Sequence, residues 1–174
     1  MPAITLTHPT AGPAGTPLAI SLPGNLLWVD QYTWSAVTSV KRYASLGALV
    51  IDSWVKQAGR PLTLQGTQDR AWCERGLLTT LNAWAADVSL IPTDPNTADP
   101  ADMLSLNHGG TVYPVVFDTE QNPIDAEPLP DLLGGPSRYT VHNDAGQLVT
   151  DVDVDYFNPL PTDPFQVSLR FLIL

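Results

Sequence analysis

The period of the apolar positions changes along residues 45–90. Ala48–Val55 is a run rich in β-branched and aromatic residues, and Leu62 and Leu64 then alternate with Thr63 and Gln65. Both stretches suit a pleated, half-buried surface. Gly59-Arg60-Pro61 between them reads as a turn, so the pattern predicts a β-hairpin over 47–66. Beyond Trp72 the spacing lengthens: Leu77, Leu78, Leu81, Trp84 and Ala85 recur at helical intervals. One helix within about residues 71–87 is expected, its apolar face (Leu78, Leu81, Trp84) packed on that hairpin.

Elsewhere the pattern is mostly that of short strands. Ile4–His8 alternates as an edge strand, Pro9–Pro17 is a loop and Leu18–Leu22 a second strand. Leu26 to Val29, with Tyr32 and Trp34, read as a buried strand or bend, and Lys41–Tyr43 leads into the hairpin. Val88–Ile91 has strand character, but Pro92, Pro95 and Pro100 impose a loop after it. His108-Gly-Gly110 separates Leu104 and Leu106 from Thr111–Phe117, the signature of a second hairpin, with Pro114 marking an edge or a bulge. Tyr139–His142 and Gln147–Thr150 flank a small hairpin. At the end, Phe165, Val167, Leu169 and Phe171 alternate with Gln166, Ser168 and Arg170, a strand placed to seal a barrel or sandwich. The expected fold is mainly β: an antiparallel β-barrel or split β-sandwich with one principal helix. It forms a single domain over 1–174 with Pro/Asp-rich excursions at 92–107 and 118–163.

Composition narrows the function. With 174 residues, 44% of them hydrophobic and 15% charged, the chain buries a core without staples. Cys73 is the only cysteine, which excludes an intrachain disulfide and a cysteine-rich zinc site and points to synthesis in a reducing cytosol. Pro2, Pro9, Pro13 and Pro17 break the apolar run a secretory leader needs. No stretch approaches the roughly 20 apolar residues that cross a bilayer, so no membrane insertion is expected. The formal charge is −10, and ten acids but only one base, Arg138, lie between Asp118 and Asp163. Such a surface repels phosphate backbones and argues against nucleic-acid binding.

Catalytic signatures are missing. The chain has no Gly-x-Ser-x-Gly, no glycine-rich phosphate loop and no His-Glu-x-x-His, and His8, His108 and His142 are widely separated. No enzymatic activity and no cofactor are expected. Cys73, beside Trp72, reads as a partly buried, inert thiol. Asp151, Asp153 and Asp155 have two readings: hard oxygen ligands for Ca²⁺, or one solvated face of a strand with Val152 and Val154 inward. The second fits better, since the mid-loop glycine and closing glutamate of an EF-hand are missing. Trp28, Trp34, Trp54, Trp72 and Trp84 mostly adjoin apolar runs, which favours core or interface packing over a sugar-stacking platform. In the acidic excursion Leu129, Leu132, Leu133, Tyr156 and Phe157, with Val141 and Leu148, supply apolar anchors. Residues 118–163 are therefore expected to form an arm that contacts neighbouring subunits or another protein, and a chain lacking about 120–150 is expected to fold but not assemble.

Several of these stretches together resemble the tail-tip proteins of long-tailed bacteriophages, of the distal-tail and baseplate-hub type. The resemblance is carried by Gly47-Ala-Leu-Val-Ile51, Lys56-Gln-Ala-Gly-Arg-Pro-Leu-Thr-Leu-Gln-Gly66, the Trp72 junction, the helix through Trp84 and Ser168-Leu-Arg-Phe-Leu172. It covers roughly half the chain, and the longer stretches 92–107 and 118–163 depart from the compact family pattern. It implies a tube-like β-barrel or split sandwich crossed by one helix. It further implies a ring, hexameric or trimeric, that joins the tail tube to the baseplate hub and continues the DNA channel in the virion. An acidic lumen would let like-charged DNA pass without sticking. The rival expectation is a carbohydrate- or receptor-binding β-module at the phage tip, which an exposed tryptophan in a groove would favour.

Overall fold

The computed structural model describes residues 3–56, 59–67, 69–94, 97–129 and 160–174 in full, and 138–142 and 148–153 through their backbone. The described chain is mainly β and antiparallel, with one α-helix. The main sheet runs in the order β2 (Leu18–Leu22), β1 (Ile4–His8), β8 (Leu104–His108), β9 (Thr111–Phe117), β13 (Pro164–Ile173), β6 (Arg60–Gln65) and β3 (Leu27–Trp28). β10 (Ile124–Pro128) and β7 (Cys73–Glu74) also pair with β13. β2 and β3 are the two ends of the order and do not pair with each other, so the sheet is not closed into a barrel. Two hairpins stand outside it: β4 (Val37–Tyr43) with β5 (Leu49–Val55), and β11 (Arg138–His142) with β12 (Leu148–Asp153).

β13 is the spine, and its alternation explains why. Val167, Leu169 and Phe171 are almost wholly buried, while Gln166, Ser168 and Arg170 are only partly so. Each edge of this strand takes two partners in line. On one edge β6 pairs down to Gln65↔Ser168 and β7 resumes at Cys73↔Phe165; eight facing residues span three of β13, an excursion of five. On the other edge β9 pairs to Phe117↔Phe171 and β10 resumes at Ile124↔Leu169; seven facing residues span two, again an excursion of five. The first excursion is pinned by the Gly66 amide donating to Val167 O at 2.8 Å, and a Cβ on Gly66 would stand 2.5 Å from Ala71 O. Arg170 pins the second, its guanidinium donating to Asn122 O at 2.6 Å.

The inward face of the sheet gathers Ile4, Leu6, Leu22, Leu62, Leu64, Leu104, Leu106, Val115, Phe117, Leu169 and Phe171 into one buried cluster. Helix α1 (Arg75–Ala85) adds Leu78, Leu81 and Trp84 to it. The helix start is held by the segment leading into β13. Arg75 and Gly76 amides donate to Asp163 O and Pro161 O at 2.9 and 2.8 Å, satisfying two donors that have no partner within a helix. The buried Asp163 carboxylate accepts from Leu160 N at 2.9 Å and faces Arg75 Nη2 at 3.1 Å.

Several expectations need correcting. Residues 47–66 are not a hairpin: β5 pairs with the upstream β4, and β6 with β13 and β3. The reversal comes earlier, at Ala44–Ala48, where Gly47 takes φ +82° and Ala44 N donates to Ala48 O at 2.8 Å. Only the β6 half shares a core with Leu78, Leu81 and Trp84. β1 is flanked on both sides and is not an edge; among the described residues β2 is. Val88–Leu90 is a 3₁₀ turn. The β8–β9 hairpin forms as expected, with Gly109 and Gly110 at φ +62° and +88°, but its register is unbroken and Pro114 makes no bulge. Pro114 O accepts from Leu174 N, so its nitrogen also faces the place where the β13 ladder runs out. The start of the 118–163 excursion belongs to the body, because β10 lies in the main sheet and Ile124 is buried.

Candidate functional site

The β4–β5 ribbon is the region whose surface the fold leaves unexplained. Its register, Val37↔Val55 to Tyr43↔Leu49, places Val37, Tyr43, Leu49, Ile51 and Val55 on one face and Val40, Val50 and Trp54 on the other. On the first face all five are exposed, Tyr43 by 75% and Val55 by 65%; on the second, Trp54 is exposed by 52%, and Leu46 at the tip by 96%. No ribbon residue joins the buried cluster. A lone two-stranded ribbon is at best marginally stable in water, and exposed apolar groups so concentrated mark a contact surface. Its root is fixed to the body. The Arg60 guanidinium lies 4.7 Å from the Trp28 ring and 5.7 Å from Trp34, and it donates to Gln31 O at 2.7 Å, which holds the segment leading into β4 against β3 and β6. Sequence reasoning took Lys41–Tyr43 as a connector. The signal that identifies β4 is the β-branched and aromatic run Val37 to Tyr43 set just before Gly47.

A second feature is an open groove of about 510 Å3 between β2 and the start of α1. Ile20, Leu22, Trp72 and Leu77 give it apolar walls, and Glu74 gives it a carboxylate. Trp72 is 39% exposed there. Of the other tryptophans, Trp28 and Trp84 are core residues, while Trp54 is exposed on the ribbon.

His8, Asp87 and Cys73 are held in well-defined surroundings. His8 is buried edge-on to Trp84, ring centroids 5.1 Å apart; its Nδ1 accepts from Thr10 N at 3.2 Å and its Nε2 lies 3.4 Å from Asp87 Oδ2. Asp87 Oδ1 accepts from the Ser89 hydroxyl and amide at 2.7 and 2.9 Å, and these bonds, in that order, hold its carboxyl below the usual range. The Ser89 hydroxyl donates to the carboxylate and not to His8, so these three side chains tie β1 to the end of α1. Burial pushes the Cys73 thiol up to about 12, which leaves it protonated and inert at neutral pH.

Asp151 and Asp153 lie two apart in β12, as the strand reading requires, and Asp155 falls outside the described residues. Among the described residues no three His, Cys, Asp or Glu side chains gather to hold a metal ion, and no helix is long and apolar enough to cross a membrane. Leu129, expected at a partner surface, is buried against its own chain, its amide donating to Pro164 O at 3.3 Å. Leu132, Leu133, Tyr156 and Phe157 fall outside the described residues. No protein-family model, curated protein or solved structure matches this chain.

Proposed function

We propose that this protein is a structural subunit of a phage tail tip or baseplate. It forms a ring that joins the tail tube to the hub and continues the DNA channel. The observation that carries this reading is the β4–β5 ribbon, apolar and exposed on both faces yet firmly rooted by Arg60, Trp28 and Trp34. A subunit that works by contact needs such a surface, and a body whose interior is filled by side chains has no need of a pocket. The charge of −10 supports a channel that DNA traverses without adhering. Negative-stain electron microscopy of the purified chain, paired with sedimentation, tests the reading. Closed rings with a central opening are expected, and a protein that stays monomeric at every concentration sinks it.

The Trp72 groove favours a second reading, a saccharide-binding module, since a half-exposed indole beside a carboxylate offers a stacking face and a hydroxyl acceptor. A monomer retained on an immobilised host polysaccharide, and released by Trp72→Ala, would select it.

A further inference from the structure

The ribbon and the groove are complementary in three respects. The first is backbone pairing. Among the described residues, β4 and β5 pair only with each other and β2 pairs only with β1, so each element keeps an edge with free ladder groups. An unpaired edge is a template for strand addition.

The second is shape and polarity. Tyr43, Leu49 and Ile51 present an apolar face without a partner, and the open groove beside the β2 edge offers it the apolar side chains of Ile20, Leu22, Trp72 and Leu77 among polar ones, Ser21 and Glu74.

The third is charge. Residues 37–56 carry Lys41, Arg42 and Lys56 against Asp52, a net +2. The rest of the chain holds five bases against seventeen acids, a net −12. The ribbon contains both lysines of the molecule, and the groove wall carries Glu74.

We propose that the ribbon of one copy seats in the β2–α1 groove of a second copy of this chain. The proposal rests on the assembly reading above and names its contact. Because the two surfaces are different patches of one chain, the contact is head-to-tail. It leaves a free groove at one end of every pair and a free ribbon at the other, and it propagates until a ring closes. Opposite net charges set the orientation and speed the encounter, while the apolar face and the added strand hold the pair together.

Two exposed substitutions break one half each: Ile51→Asp on the ribbon, and Ser21→Arg on β2 at the groove. The full chain and both variants are compared by sedimentation over a wide concentration range, with circular dichroism and melting to show that each variant folds like the parent. The parent is expected to form oligomers, and each variant alone to associate at least about tenfold more weakly. An equimolar mixture of the two variants is expected to restore dimers and nothing larger, since one intact ribbon then meets one intact groove. Parent oligomers that resist both substitutions overturn the ribbon–groove contact and leave the assembly reading standing, as does a mixture that stays monomeric. A parent that is monomeric throughout removes the assembly reading and this contact with it.

Discussion

β5 and β6 are neighbours in the chain and end in opposite environments. Leu49–Val55 is the more apolar of the two by composition, yet only Val50 among its residues is partly buried, whereas Leu62 and Leu64 of Arg60–Gln65 are wholly buried. The difference lies in the partners. β6 is clamped by β13 and β3, which align Leu62 with Phe171 and Leu64 with Leu169 and Trp28. Among the described residues β5 pairs only with β4, whose residues, Thr38 apart, are themselves exposed. Apolar content therefore measures how much a strand has to gain from burial, and the neighbouring strands decide whether it is buried within its own chain or left exposed.

The largest expected effect is chemical. With its pKa raised to about 12, Cys73 should react with a disulfide reagent at pH 8 roughly three orders of magnitude more slowly than an ordinary exposed thiol. A cysteine placed on the ribbon by Ser53→Cys provides that ordinary thiol in the same molecule. Biphasic labelling, one fast site and one about a thousandfold slower, is the expected trace; equal rates would mean the body opens as readily as the ribbon. Next in size are core truncations. Leu64→Ala and Leu81→Ala should each cost about 2–5 kcal/mol in urea unfolding. Ile51→Ala, measured in dilute solution, should stay within about 0.5 kcal/mol. A loss at Ile51 matching that at Leu64 would show that the ribbon is packed on its own body. Two glycines sharpen the contrast. Gly66→Ala drives a Cβ against the Ala71 carbonyl in the body and should cost about 1–3 kcal/mol of global stability. Gly47→Ala meets open space but sits at φ +82°, so it should speed amide exchange in the ribbon alone.

What could be read from the sequence follows the same division. The β8–β9 hairpin, α1 and β13 were legible because each is set by local signals: two adjacent glycines that take positive φ, a 3.6-residue period, and an unbroken alternation. The partner of β6 was not legible, since β13 lies about a hundred residues downstream and no local signal distinguishes it from the nearer β5. The same limit hid β10, whose Asp125 and Glu127 look like solvated loop residues but face the polar side of β13, paired with Ser168 and Gln166. Of the two exposed tryptophans, the sequence pattern assigns Trp54 to packing and Trp72 to a junction. What placed both in the open was pairing, and pairing is set by residues remote from either.

The smallest effect separates the polar ties of the two regions. In the ribbon, Arg42 and Asp52 lie 3.0 Å apart with both side chains largely exposed, a pair of the kind worth about 0–1 kcal/mol, so Asp52→Asn should leave the melting temperature at pH 7 unchanged. In the body, Asp87 is held ionised by the Ser89 hydroxyl and amide, and its folded pKa is lowered. A carboxyl whose pKa is depressed by folding stabilises the fold at every pH above its unfolded value, about 3.9, and loses that contribution as pH falls through the folded value. Asp87→Asn should therefore melt slightly below the parent at pH 7. The gap should shrink from about pH 4 downward and close once Asp87 is protonated in both states. The shift is small because the carboxylate is itself partly exposed and the asparagine keeps an acceptor for Ser89. A gap that widens with acid would mean that the ionised carboxylate opposes the fold, and that His8 and Ser89 do not fasten β1 to the end of α1 in the way their distances require.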